Sequence, residues 1–161
     1  MPANPALRPP GFSRRTLLGA SAAGLALIVT GCTSPPDQPE AVTTKQADRL
    51  SAQLGVQEAL VAAYAAAAAA DPALKAGVTE LAAEADEQLK RLRAAAPGAT
   101  PSAAASTGAA PAGAGAKAWL RQQVAAAATS HATACVDQSG ARAALLGSIA
   151  AGLRGQDARL A

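Results

Sequence analysis

Aromatic side chains are nearly missing from this chain of 161 residues: there is one Trp (Trp119), one Tyr (Tyr64) and one Phe (Phe12). A core made without them depends on aliphatic side chains, each contributing about 1.5–3 kcal/mol when fully buried. Most of the 50% hydrophobic fraction is alanine, which adds little buried area but has the highest helix propensity and lets helices approach closely. Methionine occurs only at position 1, histidine only at 131, and cysteine only at 32 and 135. So few donors rule out a disulfide framework and argue against a thioether copper site. The sequence has no Gly-x-Ser-x-Gly, no phosphate-binding loop and no His-Glu-x-x-His, so the common nucleophile, nucleotide and zinc-peptidase signatures are missing.

What is present begins with Ser13-Arg14-Arg15-Thr16-Leu17-Leu18 and an uncharged stretch running to Val29-Thr30-Gly31-Cys32. The stretch from Thr16 to Thr30 falls short of the roughly 20 residues that a spanning helix needs. It has basic residues before it and small residues after it, which is the layout of an export signal. Arg14 and Arg15 resemble the pair of a twin-arginine signal, an address read by a receptor. Val29, Thr30, Gly31 and Cys32 resemble the bacterial lipobox. That resemblance implies cleavage before Cys32, lipid on its sulfur and usually a further acyl chain on the new amino terminus, together enough for stable anchoring. The expectation is a signal peptide over 1–31, a lipidated Cys32 opening a Pro-rich tether over 32–42, and a domain over 43–161 at the extracytoplasmic face of the cell membrane.

Charge follows the same division. The net charge of +3 comes from 14 Lys and Arg against 11 Asp and Glu. Arg8, Arg14 and Arg15 lie before Cys32, where no acidic residue occurs. The remainder is neutral, which gives no reason to expect a nucleic-acid partner. With Cys32 lipidated, Cys135 has no partner for an internal disulfide.

The domain reads as four helices. Thr43 or Thr44 caps the first, running to Ala70, with Ala47, Leu50, Leu54 and Val61 on one face. Asp71-Pro72 supplies an N-cap and a first-turn proline for the second, running to Ala96. Its face carries Leu74, Val78, Leu81, Ala85, Leu89 and Leu92, and Pro97-Gly98 ends it. Residues 97–115, rich in Ala, Gly, Ser, Thr and Pro, form a flexible loop. The third helix spans 116–138, with Leu120, Val124, Ala128, His131 and Cys135 aligned. After the Ser139-Gly140 turn the fourth spans 141–159, with Leu145, Leu146, Ile149, Leu153 and Leu160 aligned. Two hairpins joined by a long loop make an all-α, antiparallel four-helix bundle.

A bundle builds sites from polar side chains that face inward. At 100° per residue, Glu58 lies about 40° from Leu54 and His131 about 20° from Val124. Both therefore point toward the core, and as a pair they are the candidates for a hydrogen bond or a metal ion. Gln57, Gln88 and Gln138 lie near stripe edges and Glu84 on a flank. Cys135 follows His131 by one turn, but a closed metal site needs about two more ligands. The bland alternative is a core histidine beside a small buried cysteine.

Gln57-Glu58-Ala59-Leu60-Val61-Ala62-Ala63-Tyr64, the 84–92 segment, Ser130-His131 and the run from Ser139 to Ala151 resemble the ferritin-like domain of lipoproteins from high-GC bacteria. The resemblance covers roughly 43–161 and implies the bundle. Its diiron members use one Glu and one Glu-x-x-His per helix pair. Glu58 matches the first Glu, but 84–87 has no His, His131 stands where a Glu belongs, and the fourth helix has no Glu-x-x-His. The expected function is that of a non-enzymatic, lipid-tethered module without a cofactor, binding an envelope protein or a second copy of itself. The alternative is a degenerate site in which Glu58 and His131 bind a metal ion.

Overall fold

The computed structural model describes residues 42–99 and 108–161. Arg14, Arg15, Val29, Thr30, Gly31 and Cys32, with most of the expected tether and the centre of the 97–115 loop, lie outside the described residues. The rest is all helical: α1 (Thr44–Ala70), α2 (Pro72–Ala95), α3 (Gly115–Val136) and α4 (Gly140–Arg159). No helix among the described residues is long and apolar enough to cross a membrane.

Local chemistry sets the ends. Thr43 caps α1 through a capping box: its hydroxyl accepts from the Gln46 backbone N–H, and the Gln46 side chain accepts from the Thr43 N–H at 3.1 Å. A single residue, Asp71, closes the first hairpin. Asp71 ends α1, donating its N–H to Ala67 O, and starts α2, accepting from the Ala73 N–H at 3.0 Å. Pro72 costs nothing there, because a first-turn N–H has no partner inside the helix. The third helix stops at Val136, two residues before expectation, and residues 137–139 make the second turn. Gly140 adopts φ 54°, a conformation that favours glycine.

α1 packs against α2 and α3, and α4 against α3 and α2. The chain direction follows from the contacts between hairpins. Gly113 donates its N–H to Ala70 O at 3.1 Å, so α3 starts at the end where α1 finishes. Gln138 donates to Gln46 O at 3.0 Å, and Arg49 pairs with Asp137, so α3 ends where α1 starts. α4 runs back, bringing Gln156 to Tyr64. The helices therefore run up, down, down and up. Pro97 and Gly98 line a cavity with Leu50 and Ser51, so the end of α2 and the start of α3 lie at opposite ends of the bundle.

The core contains the expected apolar face of α2, Leu120, Val124, Ala128 and His131 of α3, and most of the expected leucines of α4, with Leu74, Cys135 and Leu145 only half-buried. On α1 the buried face is rotated from the expected one. Ala47 is exposed and Val61 half-buried, whereas Gln53, Gln57, Leu60, Ala63 and Tyr64 are buried. α1 touches two helices across a wide arc, which draws in residues beyond a single stripe.

Candidate functional site

Among the described residues, five buried ones are polar: Gln53, Gln57, His131, Gln138 and Gln156. Buried amide and imidazole groups cost free energy unless they are hydrogen-bonded, and most of these bond to neighbouring helices in two layers across the bundle.

The first layer joins α3, α1 and α2. The His131 Nε2 lies 2.9 Å from Gln57 Oε1. Gln57 Nε2 donates to Ala85 O at 2.9 Å and to Gln88 Oε1 at 3.1 Å. The backbone oxygen of Ala85 only accepts, so it fixes the orientation of the Gln57 amide and leaves Oε1 toward the histidine. His131 must then donate from Nε2, and its Nδ1 is a bare acceptor. That Nδ1 is buried without a partner. Burial pushes the ring down to about pKa 4, so at neutral pH it is uncharged. Gln88 turns its Nε2 toward α4, where Gly152 has no side chain; a Cβ there would meet that nitrogen at 3.1 Å. Immediately before His131, Ser130 donates its Oγ–H to Oε1 of Gln53, one turn before Gln57, at 3.2 Å.

The second layer joins α1, α4 and α2 nearer the Asp71 end. Tyr64 Oη donates to Gln156 Oε1 at 2.8 Å, and Gln156 Nε2 donates to Glu84 Oε2 at 2.8 Å. Arg159 completes the chain by donating to the same carboxylate oxygen. The hydrogen bond from Gln156, with that from Arg159, holds the Glu84 carboxyl below its usual range. Burial raises the Tyr64 phenol well above its own. Neither group is poised for proton transfer near pH 7.

The expected meeting of Glu58 and His131 does not occur. Glu58 turns to the bundle's flank and pairs with Arg93 of α2 at 2.8 Å. Its neighbour Gln57 takes the position beside His131. One residue is 100° of helix, and with α1 rotated toward two neighbours the inward side chain is the amide. Gln57 was visible as a stripe-edge residue. Gln156 was overlooked, although its spacing of three from Leu153 and four from Leu160 places it on the α4 stripe. Cys135 is half-buried, and its thiol donates to Ala143 O at 3.1 Å.

These donors do not fit a diiron or other multi-ligand centre. Glu58 is engaged by Arg93, His131 Nε2 by Gln57, and the Cys135 thiol by a carbonyl. No group of three or more His, Cys, Asp or Glu among the described residues could hold a metal ion. Among the described residues a groove of about 630 Å³ lies between α2 and α4, lined by Glu80, Glu84, Glu87, Gln88, Arg91 and Gly152 among others. It holds neither a buried nucleophile nor a paired base. No family model matches this chain, nor does any curated protein or solved structure.

Proposed function

We propose that the chain is an exported lipoprotein, held at the extracytoplasmic face of the cell membrane by lipid on Cys32. Its ferritin-like bundle serves as a non-enzymatic interaction or structural module. The observation carrying the second half is that the hydrogen bonds of the buried polar side chains run to side chains and backbone carbonyls of neighbouring helices. His131, Gln57 and Gln88 fix which helices pair and in what register, and so do Tyr64, Gln156 and Glu84. Conformational specificity of this sort is an attested use of buried polar groups. The ferritin-like reading draws support from the up-down-down-up course with one long crossover, the connectivity of that fold class. The anchor reading rests on Arg14-Arg15 and on Val29-Thr30-Gly31-Cys32.

Two measurements test the reading. Cys32→Ser should move the protein from the membrane fraction to the soluble fraction, and continued retention would refute lipid anchoring. A chain with Gln57→Leu and His131→Leu should still complement a deletion strain if the layer is structural. Loss of complementation by a folded, normally abundant double variant would point to a chemical role for the pair.

A further inference from the structure

The two ends of the bundle differ in a way that bears on how the protein meets its membrane. Val42 and Val136 are the exposed large hydrophobic residues among those described, at 42% and 84% exposure. Although 94 positions apart in sequence, they lie at the same end. Val42 precedes the first turn of α1, Val136 closes α3, and the two are bridged by Arg49–Asp137 and by Gln138 on Gln46. Beside Val42 is a cavity of about 450 Å³ lined by Asp48, Ala96, Pro97 and Arg142, among others.

Cations accompany the valines. Lys45 and Arg142 stand in the first turn of α1 and α4, and Arg91 in the last turns of α2. All three are outside the ion pairs of the described residues, in which Arg49, Lys90 and Arg93 take part. Among the described residues at this end, Asp48 is a carboxylate outside those ion pairs. Exposed aliphatic side chains at the same end as cations outside those ion pairs suit a surface that meets acidic lipid headgroups, each Lys or Arg near the surface adding about 1 kcal/mol.

Covalent reach excludes one orientation. Cys32 and Val42 are ten residues apart, a span of at most about 36 Å when fully extended. The 27-residue α1 is about 40 Å long. A lipid on Cys32 therefore cannot hold the bundle inverted, with the Asp71 end on the bilayer and Val42 uppermost.

We propose that the end of the bundle carrying Val42, Val136, Lys45 and Arg142 docks onto anionic lipid headgroups. This rests on the lipid-anchor reading, and it adds that the domain stands on its α1-start end instead of swinging free. Docking there leaves the α2–α4 groove and the Asp71 end open to the surroundings.

The test uses the processed, lipidated protein in vesicles of acyl-brominated phosphatidylcholine, with and without phosphatidylglycerol. Trp119, the chain's single tryptophan, is in the early turns of α3 at the far end and should escape bromine quenching. In a Trp119→Phe, Val136→Trp protein the fluorescence should be quenched when phosphatidylglycerol is present, and much less without it or in 1 M salt, where the screening length is about 3 Å. Adding Lys45→Glu and Arg142→Glu should lower the docked-to-free ratio at least about 25-fold, about 5-fold for each cation lost. The protein should still float with the vesicles. Flotation without quenching at position 136, quenching independent of phosphatidylglycerol, or quenching of Trp119 in the unaltered chain would each overturn the docking face while leaving the anchor intact. A protein that fails to float would overturn the anchor reading and the docking with it.

Discussion

The two hairpins meet along two seams of opposite character. Where α1 meets α3 the contact is closed: Gln57 and His131 are fully buried, and Ser130–Gln53, His131–Gln57 and Gln138–Gln46 run along it. Where α2 meets α4 it is open: Glu84 bonds to Gln156 and Arg159 at the edge of a solvent-filled groove. Both seams use hydrogen bonds between side chains, but the surroundings decide their weight. A buried partner left alone loses its full hydration, whereas an exposed one recovers water. The closed seam should therefore carry the stability and the open one should tolerate change.

The largest effect expected is from His131→Ala, which strands Gln57 Oε1 in the core and leaves a cavity. A loss of about 3 kcal/mol in urea unfolding is expected, and His131→Leu with Gln57→Leu should recover at least half of it. A loss no larger than that of a surface substitution would remove the distinction between the seams.

Acid should produce nearly as large an effect. The folded-state pKa of His131 is lowered from 6.5 to about 4 by burial, so between these values it is the unfolded chain that binds the extra proton. Stability is then fully present above about pH 6.5 and falls as the pH drops toward 4, by about 3 kcal/mol. Glu84, whose pKa is lowered on folding, contributes stability above its usual range and loses it only at lower pH, so the early part of the decline belongs to His131. The single imidazole should show one NMR titration near pH 4, and a midpoint near 6.5 in the folded protein would contradict its burial.

Smaller effects are expected on the open seam. Gly155→Ala meets nothing within 4 Å, and the helix-propensity gain should raise stability by up to about 1 kcal/mol. Gly152→Ala has the same gain but crowds Gln88 Nε2. Because that amide end is flexible, the net change should still be neutral to stabilising, with a lower melting temperature than Gly155→Ala. Least of all, Glu84→Gln should cost under about 1 kcal/mol, since its carboxylate is half exposed at 49%. A cost matching that of His131→Ala would show the open seam to be as demanding as the closed one.

Much of this architecture was legible in the chain. Asp71-Pro72, Pro97-Gly98 and Thr43 mark helix ends through chemistry that acts within a few residues, and the leucine stripes of α2 and α3 follow from periodicity alone. The rotation of α1 was not legible. It depends on α1 touching α2 and α3 at once, a fact of packing that a single-helix projection omits, and the omission exchanged Gln57 for Glu58. The pairing of Tyr64 with Gln156 spans 92 positions and comes from the crossover, whose course has no local signature.

The position of α1 also has a mechanical consequence. Any pull on the chain before Val42 enters the bundle along the α1 axis, at the end locked by the Thr43–Gln46 box. Such a force shears α1 lengthwise against α2 and α3, loading their contacts together instead of peeling them one at a time. A domain joined at this corner resists tugging from that side better than its modest aliphatic core alone would suggest.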